Sequence, residues 1–209
     1  MDTRKAYNSW ASQYDTNLNK TRDLEAIALC ECLGNVAFCN CLEIGCGTGK
    51  NTLWLAEKAS HVTAVDFSEE MLRAAKQKIN AQNVSFQQAD INADWSFATG
   101  LYDLVSYSLV LEHIEHLDPI FRKTAAVLNA GGHVYIGELH PFKQYNGSKA
   151  RFETEIGIQV VPCFDHHISD FTRLAIKYGL AIKEINEYFD EAGRTGLPRI
   201  LAIVLVKIK

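Results

Sequence analysis

Runs with the apolar period of a helix alternate along this chain with short runs of strand character. That order is the signature of a mostly parallel sheet clad by helices on both faces. Strands are expected at 39–44, 62–65, 84–87, 102–108 and 133–138. Between them, helical spacing covers 22–33 and 51–59, a segment capped by Ser68 (Met71, Leu72, Ala75, Ile79) and a segment opened by Pro119 (Ile120, Phe121, Thr124, Val127, Leu128). Glu69 and Glu70 follow Ser68 and suit the positive end of a helix dipole. A further helix is expected over 169–178, ended by Gly179, then strands at 181–189 and 199–206. The link at 190–198 is too short for a crossover helix, so these last strands are expected to pair antiparallel. The fold class that follows is α/β: one domain over 1–209, a doubly wound, mostly parallel sheet of about seven strands with an antiparallel last strand. Residues 1–36 form an N-terminal cap, with an aromatic and polar segment at 7–14. Residues 141–165, irregular and aromatic, form an insertion of the kind that serves as a lid over a substrate.

Length and composition fit this frame. With 209 residues, 47% hydrophobic and 22% charged, the chain can bury one substantial core. A net charge of −4 argues against the broad basic face that a phosphate backbone favours, so no nucleic-acid partner is expected. No apolar run approaches membrane-spanning length and the first residues are polar, so no membrane partner and a cytoplasmic location are expected. No feature specifies an oligomeric state. The six cysteines include the pairs Cys30/Cys32 and Cys39/Cys41, with spacing unlike a zinc ribbon, and they read as buried, reduced, small apolar residues. His166 and His167 precede Asp170, but adjacent histidines rarely face one ion. No metal is expected.

The residues that carry chemistry begin at Gly45-Cys46-Gly47-Thr48-Gly49, which follows an apolar strand and opens a helix. Glycine there admits backbone angles closed to other residues and lets a ligand approach the main chain. A dinucleotide fingerprint would need its third glycine where Lys50 stands, and a phosphate loop would need glycine at Ile44 and Ser or Thr at Asn51. Both fail. Leu42-Glu43-Ile44-Gly45-Cys46-Gly47-Thr48-Gly49 resembles the first motif of class I S-adenosylmethionine-dependent methyltransferases of the small-molecule type. Val65-Asp66-Phe67-Ser68, Ser68-Glu69-Glu70-Met71-Leu72, Gln88-Ala89-Asp90-Ile91, the strand at 102–108 and Leu128-Asn129-Ala130-Gly131-Gly132 resemble that family's later motifs, in the family's order.

This resemblance implies a Rossmann-like fold, S-adenosylmethionine as cofactor and S-adenosylhomocysteine as product. It implies that the loop of Gly45, Cys46, Gly47 and Gly49 wraps the methionine part, that Asp66 accepts from the ribose hydroxyls, that Met71 and Ile91 pack on the adenine and that Asp90 accepts from its amino group. Glu43, Phe67, Ser108 and Tyr14 complete the cofactor-binding set. The sulfonium activates the methyl group, so the protein must chiefly place a small-molecule acceptor in line with the carbon–sulfur bond. His113 and His140, just beyond two strand ends, are the candidate catalytic bases. Two readings stay open: an active methyltransferase, or a catalytically silent S-adenosylmethionine-binding regulatory or partner subunit.

Overall fold

The computed structural model describes residues 2–154, 157–191 and 193–208. In chain order the elements are α1 (Thr3–Trp10), α2 (Lys20–Leu33), β1 (Asn40–Ile44), α3 (Lys50–Lys58), β2 (His61–Asp66), α4 (Glu69–Lys78), β3 (Val84–Gln88) and β4 (Tyr102–Ser108). After a 3-10 turn at Leu111–His113 come α5 (Leu117–Val127), β5 (Leu128–Leu139), α6 (Pro141–Tyr145), β6 (Arg151–Thr154), β7 (Gly157–Val160), α7 (Ile168–Lys177), β8 (Leu180–Tyr188) and β9 (Ile200–Lys207). Seven strands make one sheet in the order β3-β2-β1-β4-β5-β9-β8. The first five are parallel, and β9 slots antiparallel between β5 and β8. The short β8–β9 link forces that reversal.

Side-chain alternation along the strands builds two cores. Leu42, Ile44, Val134, Ile136, Leu201, Ile203 and Leu205 face one side, where α5 and α7 lay down Ile120, Phe121, Phe171 and Leu174. Their neighbours Cys41, Tyr135, Ala202 and Val204 face the other, against Leu29 and Leu33 of α2, Leu55 of α3 and Leu72 of α4. A strand period of two therefore sorts a continuous apolar sequence into two buried faces. α4 begins as its sequence suggests, with Ser68 Oγ accepting from Met71 N at 3.2 Å.

Two expectations need correction. The 141–165 insertion is not wholly irregular: it contains α6 and the separate β6–β7 hairpin. Pro141 opens α6 because a first helical position needs no N–H, and His140 supplies the cap. Cys39 does not share a buried face with Cys41: β1 begins one residue later, leaving Cys39 exposed while Cys41 is fully buried. Among the described residues no helix is long and apolar enough to cross a membrane.

Candidate cofactor and methyl-transfer site

Strand order reverses between β1 and β4, so the chain leaves those two strand ends in opposite directions and a crevice opens above them. The β1 exit is a turn of three left-handed glycines, with φ of +73° at Gly45, +53° at Gly47 and +82° at Gly49. Each has a separate reason. A Cβ on Gly45 would lie 2.1 Å from Val110 Cγ2, on the other wall of the crevice, and one on Gly49 would lie 2.4 Å from Ile79 Cδ1 of the neighbouring helix. A Cβ on Gly47 would meet nothing within 4 Å, so that face of the turn is open.

Above the turn lies a cavity of about 440 Å³. Of the sequence-derived site residues, Tyr14, Gly45, Gly47, Asp66, Phe67, Met71, Asp90, Ile91, Ser108 and His113 line it. A narrower cleft shares Tyr14, Gly45, Gly47 and Ser108 with it and adds Glu43 and Cys46. Gly49 lines neither; its absent side chain lets α4 approach, which makes it a packing residue. Asp66 is buried at the β2 end, accepting from Gly47 N (2.9 Å) with one oxygen and from Ser68 N (2.8 Å) with the other. Burial pushes its carboxyl up to about 6 against the pull of those amides. Asp90 holds its own loop by accepting from Asn92 N at 2.9 Å. Lys123 fastens the same loop with all three ammonium protons, to the carbonyls of Ile91, Asn92 and Ala93 at 2.6–3.0 Å.

The narrow cleft adds Arg22, Glu25 and Asn51, polar groups that the sequence did not single out, to Glu43 and Ser108. Arg22 stacks 4.0 Å from the Tyr14 ring centroid, donates to Tyr14 O and Asn17 O, and keeps a buried Nε without a partner among the described residues. Glu25 accepts from Asn51 Nδ2 (2.9 Å) and Tyr135 OH (3.1 Å), and Asn51 also donates to Ser108 Oγ at 3.1 Å. Glu43 accepts from Thr52 Oγ1 at 2.6 Å, and burial pushes its carboxyl up to about 8. Two buried acids, an arginine and the first amides of α3 suit a ligand that carries both an ammonium and a carboxylate.

The β4 exit is strained: Leu109 sits at φ +57°, a left-handed backbone that a branched residue rarely adopts. Glu138, buried on β5, holds the next residues by accepting from Val110 N (3.0 Å), Leu111 N (2.8 Å) and Glu112 N (3.3 Å). This clasp presents His113 to the cavity. His113 Nδ1 lies 2.9 Å from Pro162 O, so it carries the proton, and Nε2 accepts from Tyr7 OH at 2.7 Å. His140 is elsewhere. It is fully buried at the start of α6, Nδ1 accepting from Phe142 N and Nε2 donating to Glu187. With both nitrogens committed and a place outside both clefts above the glycine turn, His140 acts as a helix cap, and its reading as a base is corrected. His166 bonds Ile114 O and His167 bonds Tyr145 OH, so those rings face different partners.

Comparison with known proteins narrows the activity. Residues 42–136, a little under half of the chain, match the model described as "Methyltransferase domain". The chain is a methyltransferase, similar to the class I S-adenosylmethionine-dependent enzymes. It is 25% identical to an uncharacterized methyltransferase of Emericella nidulans, over 89% of this chain and 78% of that protein. It is 30% identical to a demethylmenaquinone methyltransferase of Tropheryma whipplei, over 67% of this chain but only 60% of that protein's length. The N-methyltransferase NodS of Bradyrhizobium japonicum, solved with S-adenosyl-L-homocysteine, superposes with a TM-score of 0.74 at 17% identity, covering all of both chains. The cavity suits S-adenosylmethionine. Open main chain sits at Gly47, a buried acid ends β2, and an acid and an apolar side chain follow β3.

Proposed function

We propose that this methyltransferase transfers the cofactor's methyl group, by in-line displacement at carbon, to a small molecule that arrives beside His113 and Tyr7. In this reading Asp66 accepts from the ribose hydroxyls, and Phe67, Met71, Asp90 and Ile91 enclose the adenine. Gly45, Cys46 and Gly47, with Glu43, Ser108 and Arg22, receive the aminoacyl end, and Tyr14 closes over the thioether. The observation that carries the reading is that Asp66, Asp90 and His113 line one cavity, the two acids beside the β2 and β3 ends and the histidine beyond the β4 end. Placement of the acceptor does most of the work, since well-oriented juxtaposition is worth about 7–11 kcal/mol. For a protonated nucleophile His113 is the nearest group able to take the proton once Tyr7 yields Nε2.

The 141–165 insertion acts as the lid. Pro162 O meets His113, Phe164 N donates to Glu112 O at 2.7 Å, and Val161 packs with Ala6 and Trp10 of α1. The side chain of Phe152 falls outside the described residues, and Phe142 and Tyr145 are exposed. The six cysteines are free, which supports a reducing cytoplasmic setting, and the net charge of −4 supports an acceptor other than nucleic acid. The engagement of both His113 nitrogens favours the second reading, a silent cofactor-binding subunit. Calorimetry with S-adenosylhomocysteine tests binding, which both readings require. A panel of phenols, carboxylic acids and amines, scored for S-adenosylhomocysteine release, separates them: no release from any class would sink the catalytic reading.

A further inference from the structure

Beneath the lid, beside His113, three unlike metal-binding side chains converge. Glu112, His113 and Cys163 each offer one ligand atom, and these atoms lie within 4.8 Å of one another. Cys163 Sγ is 3.8 Å from His113 Nδ1, and Glu112 Oε1 is 3.8 Å from His113 Nε2. A second observation is independent of that clustering. Glu112 is 6% exposed, and its Oε2 has no hydrogen-bond partner among the described residues. Cys163 and Gln144 come near enough to favour its charge, yet neither makes a hydrogen bond to Oε2. An orphaned carboxylate oxygen in the interior costs about 1–3 kcal/mol, more if charged, so its retention asks for a counterpart.

We propose that Glu112, His113 and Cys163 bind one divalent transition-metal ion of the zinc class at the acceptor end of the cofactor cavity. The mixed oxygen, nitrogen and sulfur donor set suits zinc or cobalt and disfavours magnesium or calcium, which take oxygen ligands. Three protein ligands leave a fourth position open, the pattern of reactive rather than structural zinc sites. Of the three, His113 lines the cofactor cavity. Burial and the nearby Glu112 push the Cys163 thiol up to about 12, and a bound cation reverses that preference. On binding, the S–H proton of Cys163 leaves to solvent and the sulfur–metal bond takes its place, with no electron transferred. The ligating nitrogen of His113 gives up its present partner, Pro162 O or Tyr7 OH. The proposal does not depend on the acceptor, because metal binding can be read without turnover; with the ion bound, His113 holds the metal in place of taking the acceptor's proton.

The test is titration of metal-free, reduced full-length protein with Co²⁺, followed by displacement with Zn²⁺. One equivalent is expected to bind with a near-ultraviolet thiolate-to-cobalt charge-transfer band and visible bands of a four-coordinate ion. Cys163→Ser should abolish the charge-transfer band and weaken Zn²⁺ by more than about tenfold, a loss that even outer-shell partners can cause. Cys39→Ser, at the exposed thiol, should leave the band intact. Undiminished S-adenosylhomocysteine binding by Cys163→Ser certifies its fold. Absence of saturable binding overturns the proposal. So does a band that survives Cys163→Ser, or one that disappears with Cys39→Ser.

Discussion

The floor and the roof of the cofactor cavity are built by different means. The floor is local: β1 runs straight into the glycine turn, Asp66 ends the strand paired with β1, and Gly45 N and Cys46 N both donate to Val65 O at 2.7 and 3.0 Å. The roof is assembled from distant segments. Tyr7 of α1 reaches His113, 106 residues away, and His113 reaches the insertion at Pro162. Changes in the floor should therefore abolish cofactor binding, whereas changes in the roof should loosen it and act mainly on turnover.

The strongest way to break the floor is Gly45→Val. With its Cβ 2.1 Å from Val110 Cγ2 at φ +73°, it should lose cofactor binding altogether and lower the melting temperature. Gly47→Ala, whose Cβ meets no protein atom within 4 Å, should cost the fold only the left-handed penalty of about 1–2 kcal/mol, read by chemical denaturation, while its methyl group on the open face of the turn still weakens the cofactor. Equal effects of the two would contradict the division of labour assigned to the turn. Asp66→Asn comes next. Losing charged hydrogen bonds of about 1.5–3 kcal/mol should weaken S-adenosylhomocysteine by roughly 10- to 150-fold in calorimetry.

That same carboxyl has its value raised to about 6. It is protonated below that pH, so wild-type affinity should fall as pH drops through about 6. Glu25 and Glu43 titrate higher, at about 7 and 8, so the part belonging to Asp66 is the part that Asp66→Asn flattens. An unchanged profile in that variant would remove Asp66 from the account.

Glu138→Gln tests the join between floor and roof. It replaces one acceptor oxygen with an NH₂ facing backbone N–H groups and should destabilise by about 1–3 kcal/mol, with slower turnover from a displaced His113. Tyr7→Phe, in the roof alone, should have the smallest effect on binding: about 0.5–1.5 kcal/mol, near or below tenfold in Kd, measured by calorimetry. A loss as large as that of Asp66→Asn would show that the roof, too, bears the cofactor.

This contrast also decides what was legible in the sequence. The turn at 45–49, Asp66 and Asp90 announce themselves because each stands at a fixed step from a strand end, and spacing along the chain is what a sequence displays. The helix start at Ser68 and the antiparallel pairing of β9 were legible for the same reason. Glu25, Asn51 and Glu138 were not, since each reaches the site through a side-chain bond to a residue remote in the chain, and Arg22 was not, since its partners Tyr14 O and Asn17 O are backbone carbonyls of an irregular turn. His140 misled because the end of β5 lies near the crevice, while the cap it provides to Phe142 N turns its ring away. In the insertion, 141–164 lacks strong periodicity, and α6 with the β6–β7 hairpin is too short to impose one.

The central claim is that two acids and an open glycine turn grip one nucleoside, and a crystal structure with S-adenosylhomocysteine tests it most directly. The account predicts both ribose hydroxyls on Asp66, the adenine amino group on Asp90, and the sulfur on the side of His113. A nucleoside lying elsewhere, or bound with Asp66 and Asp90 turned away from it, would contradict it.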